Sequence, residues 1–281
     1  MHGIALARSL LFLPADRLER LPKALASGAH ALVLDLEDAV APERKAGARE
    51  ALARLWPTLG ASVRSRLLVR LNASATPWHA DDAALLGGLQ GLGAAMPAKV
   101  ESPSDLRRLF AAFPARRWLP LIESAEGLGQ IDAIARVPGV LRLAFGHLDF
   151  QADLGMACDG DEAELAPVRF AFVQASRRAG LAPPVDGVTT ALQDTERLGA
   201  DARRARRFGF GAKLCIHPAQ VAPVNAALGP SEEQSAWARR VLVAAAAHGE
   251  GAFRFEGAMV DAPVLARARR FAQDHNPKEN A

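Results

Sequence analysis

Tyrosine is absent from the 281 residues, and cysteine occurs only twice, at Cys158 and Cys215. Two cysteines cannot build a disulfide framework, so a reducing compartment is expected. No apolar run approaches the ~20 residues that a membrane span requires. The N-terminal "SLLFLP" is too short for a signal-peptide core and ends at a proline. These absences predict a cytoplasmic protein without membrane contact. No sign of charge dominates either: 34 basic side chains stand against 31 acidic ones, a net +3. The basic residues are spread along the chain with no basic run interleaved with aromatics, which argues against nucleic-acid binding. What remains is 50% hydrophobic and 23% charged, a globular composition long enough for one large core or two modest domains.

Short apolar runs recur, each followed by a helix-like segment. They are "SLLFLP" (9–14), "ALVLDL" (31–36), "RLLVRLN" (66–72), "AAMPAKV" (94–100), "RWLPLIE" (117–123), "LRLAFG" (141–146), "PPVDGV" (183–188) and "AKLCIHP" (212–218). Helix punctuation lies between them. Ser102-Pro103-Ser104-Asp105 supplies an N-cap, a proline at the first helical position and an early acid. Pro22 should delay the helix within 16–28, and Gly28 suits its C-terminal stop. Eight strand-then-helix units within 1–230 predict an α/β fold, a (β/α)8 TIM barrel, with an open doubly wound sheet as the alternative. "SATPWHADDA" reads as an extended loop or a helix start. The rhythm changes after Gly229: 231–281 reads as a C-terminal helical extension, with helices over 231–249 and from Asp261 onward and a strand-like "EGAFRFEGAMV" between them.

A barrel brings the C-terminal ends of its strands to one mouth. Glu37, Asp38, Arg70, Asn72, Lys99, Glu101, Glu123, His147, Asp149, Asp186, Lys213 and His217 all fall there. Taken singly, each would serve equally as a helix cap or half of an ion pair. The carboxylates of "ALVLDLEDAV" nevertheless demand a cation, because charges at the mouth of an apolar strand are costly alone. Glu123 and Asp149, without a Cys or His cluster, suit a hard ion such as Mg2+. Glu37 and Asp38 would then orient its waters. Arg70 suits a substrate carboxylate, or an ion pair with Glu37 or Asp38. Lys99 and Lys213 open a competing route, a Schiff base with a keto acid.

The run "RSLLFLPADRLERLPKALASGAHALVLDLEDAVAPERKAGAR" resembles the N-terminal signature of the citrate lyase β-subunit-like family of CoA-ester lyases, within the HpcH/HpaI aldolase superfamily. "VRLN", "PAKVES", "LIESAEGL", "AFGHLDFQADLG", "AKLCIHPAQV" and "GAMVDAPVLARA" follow in the family's order. The resemblance implies a (β/α)8 barrel, Mg2+ held by Glu123 and Asp149, and a CoA thioester substrate. It places the substrate-binding arginine on Arg70, with Glu123 also facing substrate. It assigns CoA contacts to Phe12, Arg17 and Lys23, with Ile216 and His217 near the nucleotide. Asp261, in "MVDxP", corresponds to an acid/base that often reaches over from a neighbouring subunit, although alone it is simply a good N-cap. The implied assembly is a homo-oligomer, a trimer or a multiple of one.

The implied reaction is metal-assisted cleavage of a 3-hydroxyacyl-CoA of the malyl, citramalyl or citryl type to acetyl-CoA and a keto acid. Three alternatives stand beside it: a citrate lyase β subunit acting on a carrier-bound thioester, an aldolase of free keto acids, and a catalytically idle barrel. One departure from the family is Ala15, where many relatives have glycine after the first strand's proline; it would hinder a phosphate approaching the backbone.

Overall fold

The computed structural model describes residues 3–248 and 251–275. Eight parallel strands form one sheet: β1 (Ser9–Pro14), β2 (Ala31–Asp35), β3 (Leu67–Leu71), β4 (Ala94–Pro97), β5 (Leu121–Ile122), β6 (Ala144–Phe145), β7 (Val185–Asp186) and β8 (Ala212–Cys215). Their order, β4-β3-β2-β1-β8-β7-β6-β5, puts the first strand beside the last. Trp118 closes the remaining seam by bridging Ala95 on one side and Val140 on the other. The molecule is therefore a (β/α)8 barrel, and the open sheet is excluded. Each expected apolar run contains its strand, although β5, β6 and β7 shrink to two residues.

Strand alternation sorts the core into two layers. In β2, Ala31 and Val33 face the barrel interior with Leu10, Leu68, Met96 and Leu121. Leu32 and Leu34 face the helices, beside Leu11, Leu13 and Val69. The 3-10 turn Ile4–Leu6 plugs the end where the strands begin, and Ile4 and Ala7 join the interior cluster.

Local chemistry sets the helices. Ser102 Oγ accepts the Ser104 N–H, and Pro103 opens the helix Pro103–Ala112. The segment around Pro22 begins as a 3-10 turn, becomes α-helix over Leu21–Ala26, and stops before Gly28 at φ 77°. Only glycine takes that left-handed conformation without strain. "SATPWHADDA" contains a helix, His79–Leu86. Buried Asp82 anchors it by accepting from Asn72 and Arg49.

The extension comprises the helix Glu232–His248, a hairpin of Phe253–Phe255 with Ala258–Val260, and the helix Ala262–His275. Residues 249–250 and 276–281 of the expected extension lie outside the described residues. Its small core of Ala238, Val241, Val260 and Ala268, with Trp237 alongside, is separate from both barrel layers. It meets its own barrel near the strand starts, where Arg206 donates to Gln234 at 2.7 Å.

Candidate active site

The parallel register of β2 and β3 sets Asp35 beside Arg70. Arg70 Nε and Nη2 donate to the two oxygens of Asp35 at 2.7 and 2.6 Å. Asp35 also accepts the main-chain N–H groups of Glu37 and Ala39, so the turn after β2 folds around it. Arg70 Nη1 lies 2.8 Å from Glu37 Oε2 and 3.8 Å from Asp38 Oδ2. The Phe12 ring stacks against the guanidinium at 4.7 Å. Burial opposes the charge of Arg70, but hydrogen bonding and attraction from Asp35, then Glu37, hold its pKa above the usual arginine value. A cation of the protein's own thus faces the carboxylates of "ALVLDLEDAV". The Arg70 ion pair with Glu37 expected from the sequence is present, and a metal ion would be a further cation beside it.

Lys99 is a second such cation. Its backbone takes φ 49° and its main-chain N–H donates to Glu123 Oε2 at 3.1 Å. Its ammonium lies 3.5 Å from Glu37, 3.6 Å from Asp149 and 4.0 Å from Asp38. Burial lowers its pKa, but these carboxylates and Glu123 raise it overall. A lysine that forms Schiff bases needs the opposite shift. Lys213 is buried and donates to the Gly187 carbonyl at 2.7 Å. At Lys99 the electrostatics therefore oppose the Schiff-base route, and Lys213 is held by a main-chain carbonyl.

Glu123 follows β5 and is 4% exposed. Burial first, then Glu37 and Asp149, push its carboxyl well above the ordinary range. Gly146 leaves room for it, because a Cβ there would stand 2.3 Å from Glu123 Oε1. The "FG" of the sixth strand end is thus a steric requirement of Glu123. Asp149 sits in the first turn of the helix His147–Leu154.

A cavity of about 330 Å³ at this mouth is lined by Phe12, Asp38, Arg70, Glu123, Asp149 and Ile216, with Leu121, Val188 and Leu214 as apolar wall. Glu37 stands just behind it, through its contacts with Arg70 and Lys99. Arg17, Lys23, His217 and Asp261 do not line it. Arg17 and Lys23 are exposed on the segment after β1, Arg17 with Nη1 3.8 Å from Glu19. His217 is exposed and caps the turn after β8 by accepting the Ala219 N–H. Asp261 caps the last helix, accepting the Val264 N–H at 3.2 Å. Ala15 is fully buried in the layer between sheet and helices. Its methyl does not stand on the surface where a phosphate would approach.

Among the described residues no group of three or more His, Cys, Asp or Glu is arranged to hold a metal. A pair of carboxylates still fits Mg2+, which takes one or two and completes its shell with water and ligand oxygens. Zinc does not fit, since His147 directs Nε2 to Glu162, 3.4 Å away. Glu37 adds to the magnesium fit: its Oε2 is buried and has no hydrogen-bond partner, the Arg70 N–H pointing off line. Burial, ahead of Arg70, sets its pKa near about 7.

Residues 8–218 match the HpcH/HpaI aldolase/citrate lyase family. The chain is 39% identical to the citrate lyase subunit beta-like protein of Deinococcus radiodurans over 276 residues, covering 94% of this chain and 96% of that one. It is 32% identical to a (3S)-malyl-CoA thioesterase of Cereibacter sphaeroides, with 94% and 92% covered. Its fold superposes on protein CitE from Mycobacterium tuberculosis, solved in complex with magnesium, acetoacetate and coenzyme A. That match has a TM-score of 0.81 and 36% identity, over 96% of this chain and 99% of the other.

Proposed function

Because the chain belongs to the HpcH/HpaI aldolase/citrate lyase family, we propose that it breaks a carbon–carbon bond in a 3-hydroxyacyl-CoA thioester, releasing a keto acid and acetyl-CoA. One observation carries this reading. Asp35, Glu37, Asp38 and Asp149 pair with Arg70 and Lys99, and buried Glu123 lies beside them. Lys45 behind the turn is the one further cation near them among the described residues, so five carboxylates meet three cations. An anionic substrate enters so acidic a mouth only with a further cation, and Mg2+ on Glu123 and Asp149 would be that ion. Bound there, it supplies Lewis acidity to the substrate hydroxyl and the neighbouring carboxylate.

The chain's own residues divide the remaining work. Arg70 stays charged at every working pH, and its fork, fixed by Asp35, neutralises the substrate carboxylate and developing oxyanion. Leu121, Val188 and Leu214 exclude water from the acyl end. Arg17 and Lys23, exposed outside the cavity after β1, would meet CoA phosphates, and Ile216 and His217 would border the nucleotide. Asp261 would hold the proton that moves to or from the acetyl carbon. Its extension meets its own barrel near the strand starts, so the Asp261 that completes a mouth would come from another copy. We therefore read the protein as a homo-oligomer, a trimer or a multiple of one.

A citrate lyase β subunit acting on a carrier-bound thioester is the second reading, favoured by the name of the Deinococcus relative. Coupled assays of malyl-, citramalyl- and citryl-CoA separate the two: turnover of a free CoA ester supports the proposal, and turnover of a carrier thioester alone contradicts it. Mixing Asp261→Asn with Arg70→Ala protein should restore activity that neither has alone. An Asp261→Asn enzyme as active as wild type would reduce that residue to a helix cap.

A further inference from the structure

A second cavity, larger than the one at the mouth, lies elsewhere on the molecule. It measures about 610 Å³ and lies where the strands begin, between barrel and extension. Arg8 precedes β1, Arg142 precedes β6, and Gly211 precedes β8. Arg203, Arg206 and Arg207 come from the helix Thr195–Phe208, and Arg270 from the last helix. Six arginines from four separate stretches of chain line the cavity, and among the described residues no aspartate or glutamate does. The volume is in the range of small-molecule sites.

Part of this charge has a structural explanation. Arg206 and Arg207 occupy the last turn of their helix, where cations complement the dipole. Arg270 lies over the Phe271 ring at 5.8 Å. Arg203, Arg207 and Arg270 form no ion pair among the described residues. Arg142 is 1% exposed and gives Nε and Nη1 to the carbonyls of Pro183, Ile4 and Ala7. No carboxylate balances it, and burial alone pushes its pKa down to about 9. Gly211 keeps the space beside its Nη2 clear, since a Cβ there would lie 3.2 Å from that nitrogen. Among the described residues no acid faces this guanidinium or the cationic cavity it borders, a setting in which an anion from outside would stabilise the charge.

We propose that this cavity, at the opposite end of the barrel from the catalytic mouth, binds a small polyanion carrying adjacent phosphates. Arg203, Arg207 and Arg270 would grip its exposed charges, and Arg142 would supply the fixed field behind them. The arginines are gathered in a concavity that a phosphate pair can enter, not laid out as a track for a nucleic-acid backbone.

Calorimetric titration of the intact protein with inorganic pyrophosphate and with ADP tests this directly. Saturable binding is expected, weakened roughly tenfold or more in Arg203→Ser/Arg207→Ser and in Arg270→Ser, whose side chains are exposed enough to spare the fold. Arg17→Ala/Lys23→Ala should remove only phosphate binding at the mouth and leave the binding event that the Arg203, Arg207 and Arg270 changes weaken. Tighter binding of ADP than of pyrophosphate would identify a nucleotide as the source of the phosphates, and equal binding the phosphates alone; both support the site. Absence of saturable binding, or affinity unaltered by all three arginine changes, overturns it. RNA binding that pyrophosphate does not displace overturns it as well.

Discussion

The two ends of the barrel solve opposite charge problems. At the mouth, Asp35, Glu37, Asp38 and Asp149 pair with Arg70 and Lys99 at 2.6–4.0 Å, with buried Glu123 beside them and Lys45 behind. At the strand starts, Arg142 holds only main-chain carbonyls. Helix dipoles account for the sign of each end, since helix N-termini face the mouth and C-termini face the other way. They do not account for the excess. At the mouth the excess is of carboxyl groups, two of which, Glu37 and Glu123, are pushed by burial toward the protonated form that a divalent ion would displace. At the other end it is positive and only partly satisfied.

Removing one arginine from each end should expose this difference. Arg70→Met strands Asp35 and Glu37 in a buried site, and losing one partner of such a cluster costs about 3–5 kcal/mol. Urea unfolding should show that loss, and Asp35→Asn should reproduce most of it. Turnover should fall with both.

The second effect is a pH dependence confined to the mouth. Folded Glu37 keeps its proton up to about pH 7, whereas the unfolded chain releases it near 4.5. Between those values the folded state binds more protons, so this group's contribution to stability falls as pH rises. Its span is about 3 kcal/mol in metal-free protein. Glu37→Gln should flatten that slope in urea unfolding between pH 4.5 and 7.5. An unchanged slope would move the buried proton to another carboxyl.

Arg142→Met comes next. It strands no opposite charge and leaves three carbonyls short of a donor, so the cost should be about 1–3 kcal/mol. A loss as large as that of Arg70→Met would mean an acid pairs with Arg142 in solution.

The smallest effect belongs to Lys99. Replacing it with Met removes a positive charge beside Asp149, and partly exposed charges at that range are worth about 1 kcal/mol. Mg2+ should therefore bind roughly fivefold tighter to Lys99→Met, read by calorimetry, whatever happens to turnover. Weaker Mg2+ binding would instead make Lys99 a support of the site.

The fold was legible because the eight apolar runs and their punctuation are local signals. Closure was not: Trp118 joins Ala95 and Val140 across the seam, and no periodicity announces that pairing. At the mouth, Glu123, Asp149 and Arg70 could be found because each falls at or shortly after the end of an apolar run. Asp35 was visible as the last residue of β2 but had no role until the register set it beside Arg70. The left-handed turn of Lys99 is set by tertiary contacts and leaves no local mark. The buried group of Arg169, Glu162 and Asp186 was illegible for a similar reason, since its members come from a helix, a loop and β7.

The central claim is that Glu123 and Asp149 hold the ion on which the chemistry depends. Thioester cleavage measured in excess chelator, with Mg2+ then restored, tests it on wild type and Glu123→Ala side by side. The account predicts no turnover in chelator, full recovery of wild type with Mg2+, and no recovery of the variant. Undiminished turnover in chelator, with the keto acid trapped on Lys99 by borohydride, would contradict it.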